Sequence, residues 1–355
     1  MKFYMPTRLY DEPGCVENHA AELSALGTKA LIVTGPSSAV KCGALADVAK
    51  ALQTDYCIFN QVEENPSVET ILKATEYGLS EKADFLIGIG GGSPMDAAKA
   101  IAFMMHLKSL DPNDLYNPSL PSNALPVVAI PTTCGTGSEV TGVSVLTVHA
   151  KNTKMSIPQR IFPKLALIDG KYLLSAPHSI IANTSIDALA HMIESYLMNK
   201  ADDYNRAIIR EGLQIWAKTK DVLAGQKDLD LDAAATLMRA STFAGMAIAQ
   251  TGTSIPHALS YILTYNLKMP HGCACGYFLG NYLAQANPQD IETILGLLQC
   301  KDIEEFKAFL KQALGNPQVP QETLQRAYDV VVQNKARLNG CTFPVDEKIL
   351  HQIVF

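Results

Sequence analysis

Hydrophobic and polar positions follow two different periods in the first half of the chain. Short apolar, β-branched runs that end at Gly or Thr predict strands, and the stretches between them repeat their apolar residues with a helical period. Strands that alternate with helices predict a Rossmann-like α/β domain, with a parallel sheet covered by helices on both faces. The predicted strands lie at 29–35, 55–62, 84–93 and 126–133, and the predicted helices at 39–53, 66–82 and 94–106.

The pattern changes in the second half. Residues 144–170 predict an excursion that contains a hairpin and ends in one more strand, whereas residues 181–355 contain almost no β-rich run. We therefore expect domains at 1–177 and 178–355, the second of them all-α, with a cleft between them. The predicted helices of the second domain lie at 183–199, 203–223, 231–249, 255–264, 288–299, 302–313 and 320–336.

Composition and charge narrow the class of protein. The chain has 355 residues, of which 48% are hydrophobic and 18% charged, an ordinary balance for a globular protein. A net charge of −6 without a dense basic tract excludes nucleic acid as a partner. We expect no membrane association, because no apolar run approaches the ~18–20 residues of a membrane span. The N-terminal sequence lacks the apolar core of a signal peptide and the eight cysteines are scattered, so we expect a cytoplasmic protein with free thiols.

Two polar loops directly follow two of the predicted strands. GIGGGSPMD (88–96) places three consecutive glycines before a helix start, where backbone N–H groups favour a phosphate. PTTCGTGSEVT (131–141) offers four hydroxyl groups within seven residues. Either loop alone is ordinary, but two of them at the carboxyl edge of one parallel sheet predict a dinucleotide site.

Asp187, His191 and Glu194 lie on one face of the predicted helix 183–199, because they are spaced four and three residues apart. Standing alone, an Asp and a His at this spacing would most simply be hydrogen-bonded to each other. Their neighbours are apolar, however, and a buried Asp and His require a positively charged partner, which a divalent ion supplies.

Two Pro-His pairs in residues 253–276 place His257 and His271 fourteen residues apart. On one continuous helix the two would be roughly 21 Å apart along the axis. A helix of about ten residues with an extended return brings them together. One Asp and three His then form a first shell for Fe²⁺ or Zn²⁺. Cys273 and Cys275 form a lone C-x-C pattern, and we expect both to be packing residues.

The motifs resemble those of the iron-containing (group III) alcohol dehydrogenases in the dehydroquinate-synthase-like superfamily. The resemblance extends over nearly the whole chain and rests on GGGSPMDAAKA, PTTCGTGSEVT, DALAHMIESY, AGMAIAQTGTSIPHAL and PHG, in that order. It implies a homodimer and a metal held by Asp187, His191, His257 and His271. The cofactor contacts that it implies are Gly91, Gly92, Ser93, Asp96, Thr132, Thr133, Thr136, Ser138 and Lys154.

Two positions depart from the pattern of this family. Gly35 stands where many members have an Asp that repels a 2′-phosphate, and Ser37, Ser38 and Lys41 follow it as donors. We therefore expect NADP(H) to be favoured over NAD(H). Tyr261 stands where many members have a further active-site His, and its phenol is a candidate substrate contact.

The resemblance implies a metal-dependent alcohol dehydrogenase and aldehyde reductase, which transfers a hydride between NADP(H) and a small primary alcohol or aldehyde. The alternatives within the superfamily are a zinc-dependent polyol dehydrogenase of the glycerol type and a dehydroquinate-synthase-type lyase. PTTCGTGSEVT and D-A-L-x-H favour the alcohol dehydrogenase branch. A non-catalytic nucleotide- or metal-binding homologue is the remaining alternative, against which the complete set of four ligands argues.

Overall fold

The structure, a computed structural model, describes residues 3–151 and 153–355 and contains two compact units. The first, called the α/β unit below, comprises Met5–Thr133 and Gly137–Ala176. The second, called the helical unit, comprises Cys134–Thr136 and Pro177–Phe355, together with the N-terminal residues up to Tyr4. Within the described ranges, no helix is both long and apolar enough to cross a membrane.

The α/β unit confirms the predicted parallel sheet with flanking helices. Its strands are β1 Arg8–Asp11, β2 Lys29–Thr34, β3 Asp55–Phe59, β4 Phe85–Gly90, β5 Val127–Pro131, β6 Val145–Val148, β7 Thr153–Ser156 and β8 Leu165–Ile168. Its helices are α1 Cys15–Asn18, α2 Ala20–Ser24, α3 Ser38–Lys41, α4 Ala44–Ala51, α5 Val68–Ser80 and α6 Gly92–Leu107.

The order of the parallel strands determines where this sheet can bind a ligand. Across the described part of the sheet the order is β3-β2-β4-β5-β8-β1, and β6 pairs with β7 in a separate antiparallel hairpin. β3 lies beside β2 toward one edge of the sheet, and β5 lies beside β4 toward the other edge. The connections that follow β2 and β4 therefore run in opposite directions. The carboxyl ends of β2 and β4 therefore flank a topological switch point, the place where open α/β sheets bind ligands.

Both faces of the sheet are buried, which explains the continuous apolar runs of its strands. Along β2, Leu31 and Val33 face a core formed with α5 and α6, whereas Ala30 and Ile32 face a second core formed with α1 and α4. Successive side chains of a strand point to opposite faces, so one short run contributes to both cores. The sheet edge with the two polar loops is thereby held between two packed layers.

The helical unit is built around α7, whose residues from Ser185 to Tyr196 are all buried. α7 packs against α8, α10 and α12. The helices of this unit are α7 His178–Tyr196, α8 Asp203–Ala217, α9 Lys220–Leu223, α10 Leu231–Thr251, α11 Ile255–Leu267, α12 His271–Leu283, α13 Pro288–Leu297, α14 Ile303–Leu314, α15 Gln321–Val332, α16 Lys335–Leu338 and α17 Glu347–Val354.

Several element bounds differ from the sequence prediction. The helix predicted at 203–223 is divided into α8 and α9, and the helix predicted at 320–336 is divided into α15 and α16. α11 continues three residues past the predicted end at 264, which shortens the return to His271. β1, α1, α2, α12 and α17 were not predicted. α12 was missed because its glycines are weak helix formers, and tertiary packing overrides that local preference.

Candidate metal centre

Three helices of the helical unit bring the predicted ligands together. α7 carries Asp187 and His191 on one face, His257 lies in the first turn of α11, and His271 is the first residue of α12. α12 approaches α7 closely because residue 272 is glycine: a Cβ there would lie 1.7 Å from the carbonyl oxygen of Asn183. The position of His271 beside Asp187 therefore depends on the small residue that follows it.

The side-chain atoms converge on one point. Oδ1 of Asp187 lies 3.4 Å from Nε2 of His257, 3.6 Å from Nε2 of His271 and 4.0 Å from Nε2 of His191. Oxygen and nitrogen ligands of one tetrahedral ion are about 3.3–3.5 Å apart, since each lies ~2.0–2.2 Å from the metal. The structure thus places together all four residues that the motifs predicted as ligands.

Two atoms of this cluster lack a partner that a metal would supply. Oδ1 of Asp187 and Nε2 of His257 are buried without any hydrogen-bond partner among the described residues. The two residues are only 4% and 2% exposed, so bulk water cannot satisfy these atoms. Orphaned buried polar atoms are costly, and a divalent cation between them removes that cost. The donor set therefore fits iron or zinc.

Hydrogen bonds fix the Nδ1 atoms of His257 and His191, whereas Nδ1 of His271 is buried without a hydrogen-bond partner among the described residues. Nδ1 of His257 lies 2.5 Å from Oε1 of the fully buried Glu194, whose other carboxylate oxygen accepts the Ser254 N–H. Nδ1 of His191 lies 3.2 Å from the carbonyl oxygen of Gly135. A carbonyl or carboxylate oxygen only accepts, so each Nδ1 carries the proton and each Nε2 offers its lone pair to the cluster. The sequence placed Glu194 on this face but did not reveal its role.

Burial and neighbouring charges act in opposite directions on the protonation of the cluster. Burial by itself raises the pKa of the Asp187 carboxyl, but the imidazoles of His191 and His271 outweigh it and hold that pKa below its usual range. Burial lowers the pKa of His191 to about 4, so this imidazole is neutral at pH 7. Burial also acts to lower the pKa of His257, but Cys275 and Glu194 outweigh it and hold that pKa well above its usual range, so an ion that binds Nε2 displaces a proton from this imidazole. A carboxylate beside a neutral imidazole is a ready set of metal ligands.

Cys275 adds a sulfur atom that the sequence analysis assigned to packing. Its Sγ lies 3.8 Å from Nε2 of His271. One ligand atom from each of Asp187, His257, His271 and Cys275 lies within 4.8 Å of all the others. The signal that could have revealed it is the spacing of four residues after His271, the same spacing that relates Asp187 to His191.

The cluster is accessible from one side. The side chain of His271 is 33% exposed, whereas those of Asp187, His191 and His257 are 5%, 7% and 3% exposed. The ring of Tyr261 lies parallel to that of His271, with centroids 6.1 Å apart, and Tyr261 is 37% exposed. A small molecule can therefore reach the cluster past His271 and Tyr261.

The two polar loops of the α/β unit adjoin at the sheet edge. The N–H of Thr132 donates to the carbonyl of Gly90 at 2.9 Å, and a Cβ at Gly91 would lie 3.2 Å from Oγ1 of Thr133. The glycine thus leaves room that any side chain would fill. α6 begins at Gly92, immediately before Ser93, so its free N–H groups face the same region. These features suit a pyrophosphate.

Asp96 and Ser138 are engaged with each other and with a lysine that the sequence analysis missed. Ser138 Oγ donates to Asp96 at 2.6 Å, and the second carboxylate oxygen of Asp96 accepts the Val145 N–H. Nζ of the fully buried Lys99 donates to the carbonyls of Ser138 and Val143 at 2.7 and 2.9 Å. These contacts hold the second loop. A lysine within the apolar run of α6 was the available signal.

The remaining predicted cofactor residues lie in three places. Gly35, Ser37, Ser38 and Lys41 follow β2 beside the switch point, and the last three are exposed. Nζ of Lys154, on β7, donates to Oδ1 of Asn65 at 2.8 Å. Thr136 lies in the segment Cys134–Thr136, which belongs to the helical unit.

Known proteins resemble the chain along most of its length. The family model "Iron-containing alcohol dehydrogenase" matches residues 6–170, and the C-terminal model of the same family matches residues 181–329. A 1-propanol dehydrogenase of Citrobacter freundii is 31% identical over 275 residues, which cover 77% of this chain and 70% of that protein. An NADPH-dependent butanol dehydrogenase of Clostridium saccharobutylicum is 30% identical, with 79% of this chain and 72% of that protein covered.

The fold of this chain also resembles that of solved structures. An iron-containing alcohol dehydrogenase of Thermotoga maritima superposes with a TM-score of 0.89 at 34% identity. The superposition covers 99% of this chain and 98% of that one, so both units have counterparts in it.

Proposed function

The chain belongs to the iron-containing alcohol dehydrogenase family, as its motifs predicted, and we propose that it reduces small aldehydes and oxidises small primary alcohols with NADP(H). Membership makes it an alcohol oxidoreductase that uses a nicotinamide cofactor. In this proposal, residues 1–177 bind the dinucleotide, and residues 178–355 bind the metal and substrate. The relatives from Citrobacter freundii and Clostridium saccharobutylicum are named for the short alcohols 1-propanol and butanol, which supports the substrate class.

One observation carries the proposal: Asp187 and His257 direct orphaned, buried atoms at a common point beside His191 and His271. These four residues would hold Fe²⁺ or Zn²⁺, which supplies a Lewis acid for alcohol and carbonyl oxygens when bound. The helices hold the ligands in place, Glu194 fixes the tautomer of His257, and the buried surroundings exclude bulk water. Tyr261, half-exposed beside His271, provides a phenol that hydrogen-bonds the substrate.

The preference for NADP(H) rests on the sequence after β2. Gly35 adds no carboxylate at the switch point, and Ser37, Ser38 and Lys41 are exposed donors for a 2′-phosphate. We expect kcat/KM to be higher with NADPH than with NADH, and Gly35→Asp to shift the preference toward NADH. A Cβ at this position lies 3.3 Å from the carbonyl of Val62. Gly35→Ala therefore serves as the control for the steric effect without the charge.

The activity is tested on protein reconstituted separately with Fe²⁺ and Zn²⁺. A panel of short aldehydes and alcohols is assayed with NADPH and NADH, together with metal analysis. We expect His257→Ala and His271→Ala each to abolish turnover and metal retention. His106→Ala, at an exposed position of α6, is the matched control and should retain both. No oxidation of NAD(P)H with any aldehyde, or full activity of either site variant, would refute the proposal.

Location and assembly complete the proposal. All eight cysteines are free, which supports a reducing, cytoplasmic location. The homodimer remains a prediction from the family resemblance, and sedimentation of the purified chain tests it.

A further inference from the structure

We propose that the thiolate of Cys275 is a fifth direct ligand of the ion, together with Asp187, His191, His257 and His271. The inference rests on the proposed metal centre and adds a sulfur donor to its three imidazoles and one carboxylate. On binding, the S–H proton leaves to solvent and the sulfur lone pair forms the bond to the ion. No oxidant or reductant is required.

The backbone aims the sulfur at the cluster. His271 and Cys275 lie one turn apart on α12, so their side chains project from one face of that helix. The separation of 3.8 Å between Sγ and Nε2 of His271 is close to what shared coordination requires. A thiolate ~2.3 Å and an imidazole ~2.0 Å from a five-coordinate ion are about 3.0 Å apart at a right angle and about 3.7 Å apart at about 120°.

The distances between ligand atoms support Cys275 as a ligand as well as they support His191. The ligand atoms of Asp187, His257, His271 and Cys275 all lie within 4.8 Å of one another. The Nε2 of His191 lies 4.0 Å from Asp187, the longest of the three separations between that carboxylate and an imidazole. Asp187 and His257 give independent evidence of a ligand, since each directs a buried atom without a hydrogen-bond partner at this cluster.

Cys273 lies on the same helix but outside the cluster, so it provides a comparison for Cys275. It is two residues before Cys275 and is buried to 5% exposure, but it does not belong to the group of converging ligand atoms found among the described residues. The two cysteines differ in direction rather than in burial, since Cys275 is fully buried as well. Cys273→Ser is therefore a matched control for Cys275→Ser.

The experiment uses the full chain, freed of metal and loaded with Co²⁺. Visible ligand-field absorption reports that the ion is bound, and near-ultraviolet thiolate-to-cobalt charge transfer reports sulfur ligation. We expect both features in the wild type and in Cys273→Ser, and loss of the charge-transfer band alone in Cys275→Ser. X-ray absorption of the zinc-loaded wild type should show one sulfur at about 2.3 Å beside nitrogen and oxygen at about 2.0–2.1 Å.

Three outcomes would overturn the proposal. Ligand-field bands without charge transfer in the wild type, or a charge-transfer band that persists in Cys275→Ser, would refute sulfur ligation and leave the metal centre intact. Absence of any ligand-field band in the wild type would refute the metal centre itself, and the sulfur ligand with it. The wild-type measurement of the zinc environment remains decisive even if Cys275→Ser fails to fold.

Discussion

Gly272→Ala tests how the packing of two helices positions the metal ligands. An added Cβ would lie 1.7 Å from the carbonyl oxygen of Asn183, 2.7 Å from its carbonyl carbon and 3.1 Å from the amide nitrogen of Asp187. All three are backbone atoms of α7, so no change of rotamer relieves the overlap. α12 must therefore move away from α7, and it carries His271 with it.

The size of the effect follows from that overlap. Carbon contacts require about 3.5 Å, so the helices must separate locally by roughly 1.5–2 Å. Metal sites hold their ligand distances to within about 0.2 Å. Displacing a ligand by several times that tolerance should weaken metal binding by about 100-fold or more, beyond the loss typical of changes behind the ligands. Overpacking should lower the free energy of unfolding by about 1–3 kcal/mol, partly offset by the ~1 kcal/mol better helix propensity of Ala.

Gly296→Ala provides the matched control. This glycine is exposed on α13, and a Cβ there would meet no atom within 4 Å. We expect the control to leave metal binding unchanged and to raise the free energy of unfolding by roughly 0.5–1 kcal/mol. Competition with a chromophoric chelator gives the metal dissociation constant, and urea titration gives the stability. Wild-type metal affinity and stability in Gly272→Ala would refute the argument that close helix packing positions His271.

Three further substitutions test individual contacts. Glu194→Gln keeps an acceptor for the ring N–H of His257 but removes the negative charge of the carboxylate. Metal affinity measured by equilibrium dialysis should therefore fall by about 10–100-fold. An unchanged affinity would contradict the role given to this carboxylate. Lys99→Met removes the buried ammonium that donates to the carbonyls of Ser138 and Val143. Urea titration should show a loss of about 2–4 kcal/mol in the free energy of unfolding, with a higher KM for the cofactor. Unchanged values of both would show that the loop does not depend on Lys99. The Asp84 carboxylate accepts hydrogen bonds from Thr28 and Lys29, which outweigh its partial burial and lower its pKa. The contribution of the Asp84 carboxylate to stability is therefore present above the unfolded pKa of about 3.9 and is lost as the pH falls through the folded value. Asp84→Ala should lower the free energy of unfolding by about 1 kcal/mol at pH 7 and by progressively less below pH ~4. A cost that does not change with pH would contradict this account.

The sheet and most helices could be predicted because their signals are local. The apolar runs of β2 and β4 and the glycines that follow them predict buried parallel strands with a ligand edge, and the structure has both strands next to each other. The return between His257 and His271 was predicted from chain length, and the structure makes it with the three residues between α11 and α12. The pairing of the two loops likewise needs only the rule that parallel strands end at one edge.

α12 shows where local signals fail. Gly272, Gly276 and Gly280 repeat every four residues and argue against a helix by propensity. In the fold, a side chain at each of these positions would overlap a neighbour: Asn183 at the first, Leu314 and Ile186 at the second and Lys307 at the third. The repeat of small residues is thus a packing surface, which becomes recognisable only when the neighbouring helices are in place.

The amino-acid sequence by itself determined the parallel sheet, the all-α second half and the four side chains that converge beside α7, because periodicity, residue type and spacing are properties of the chain. Only the tertiary structure decided that Glu194 orients His257, that Lys99 holds the second loop and that Cys275 rather than Cys273 faces the cluster. The physical reason is that these relations depend on distances between helices. Such distances are set by backbone contacts like that between Gly272 and Asn183, which the spacing of residues along the chain indicates only in part.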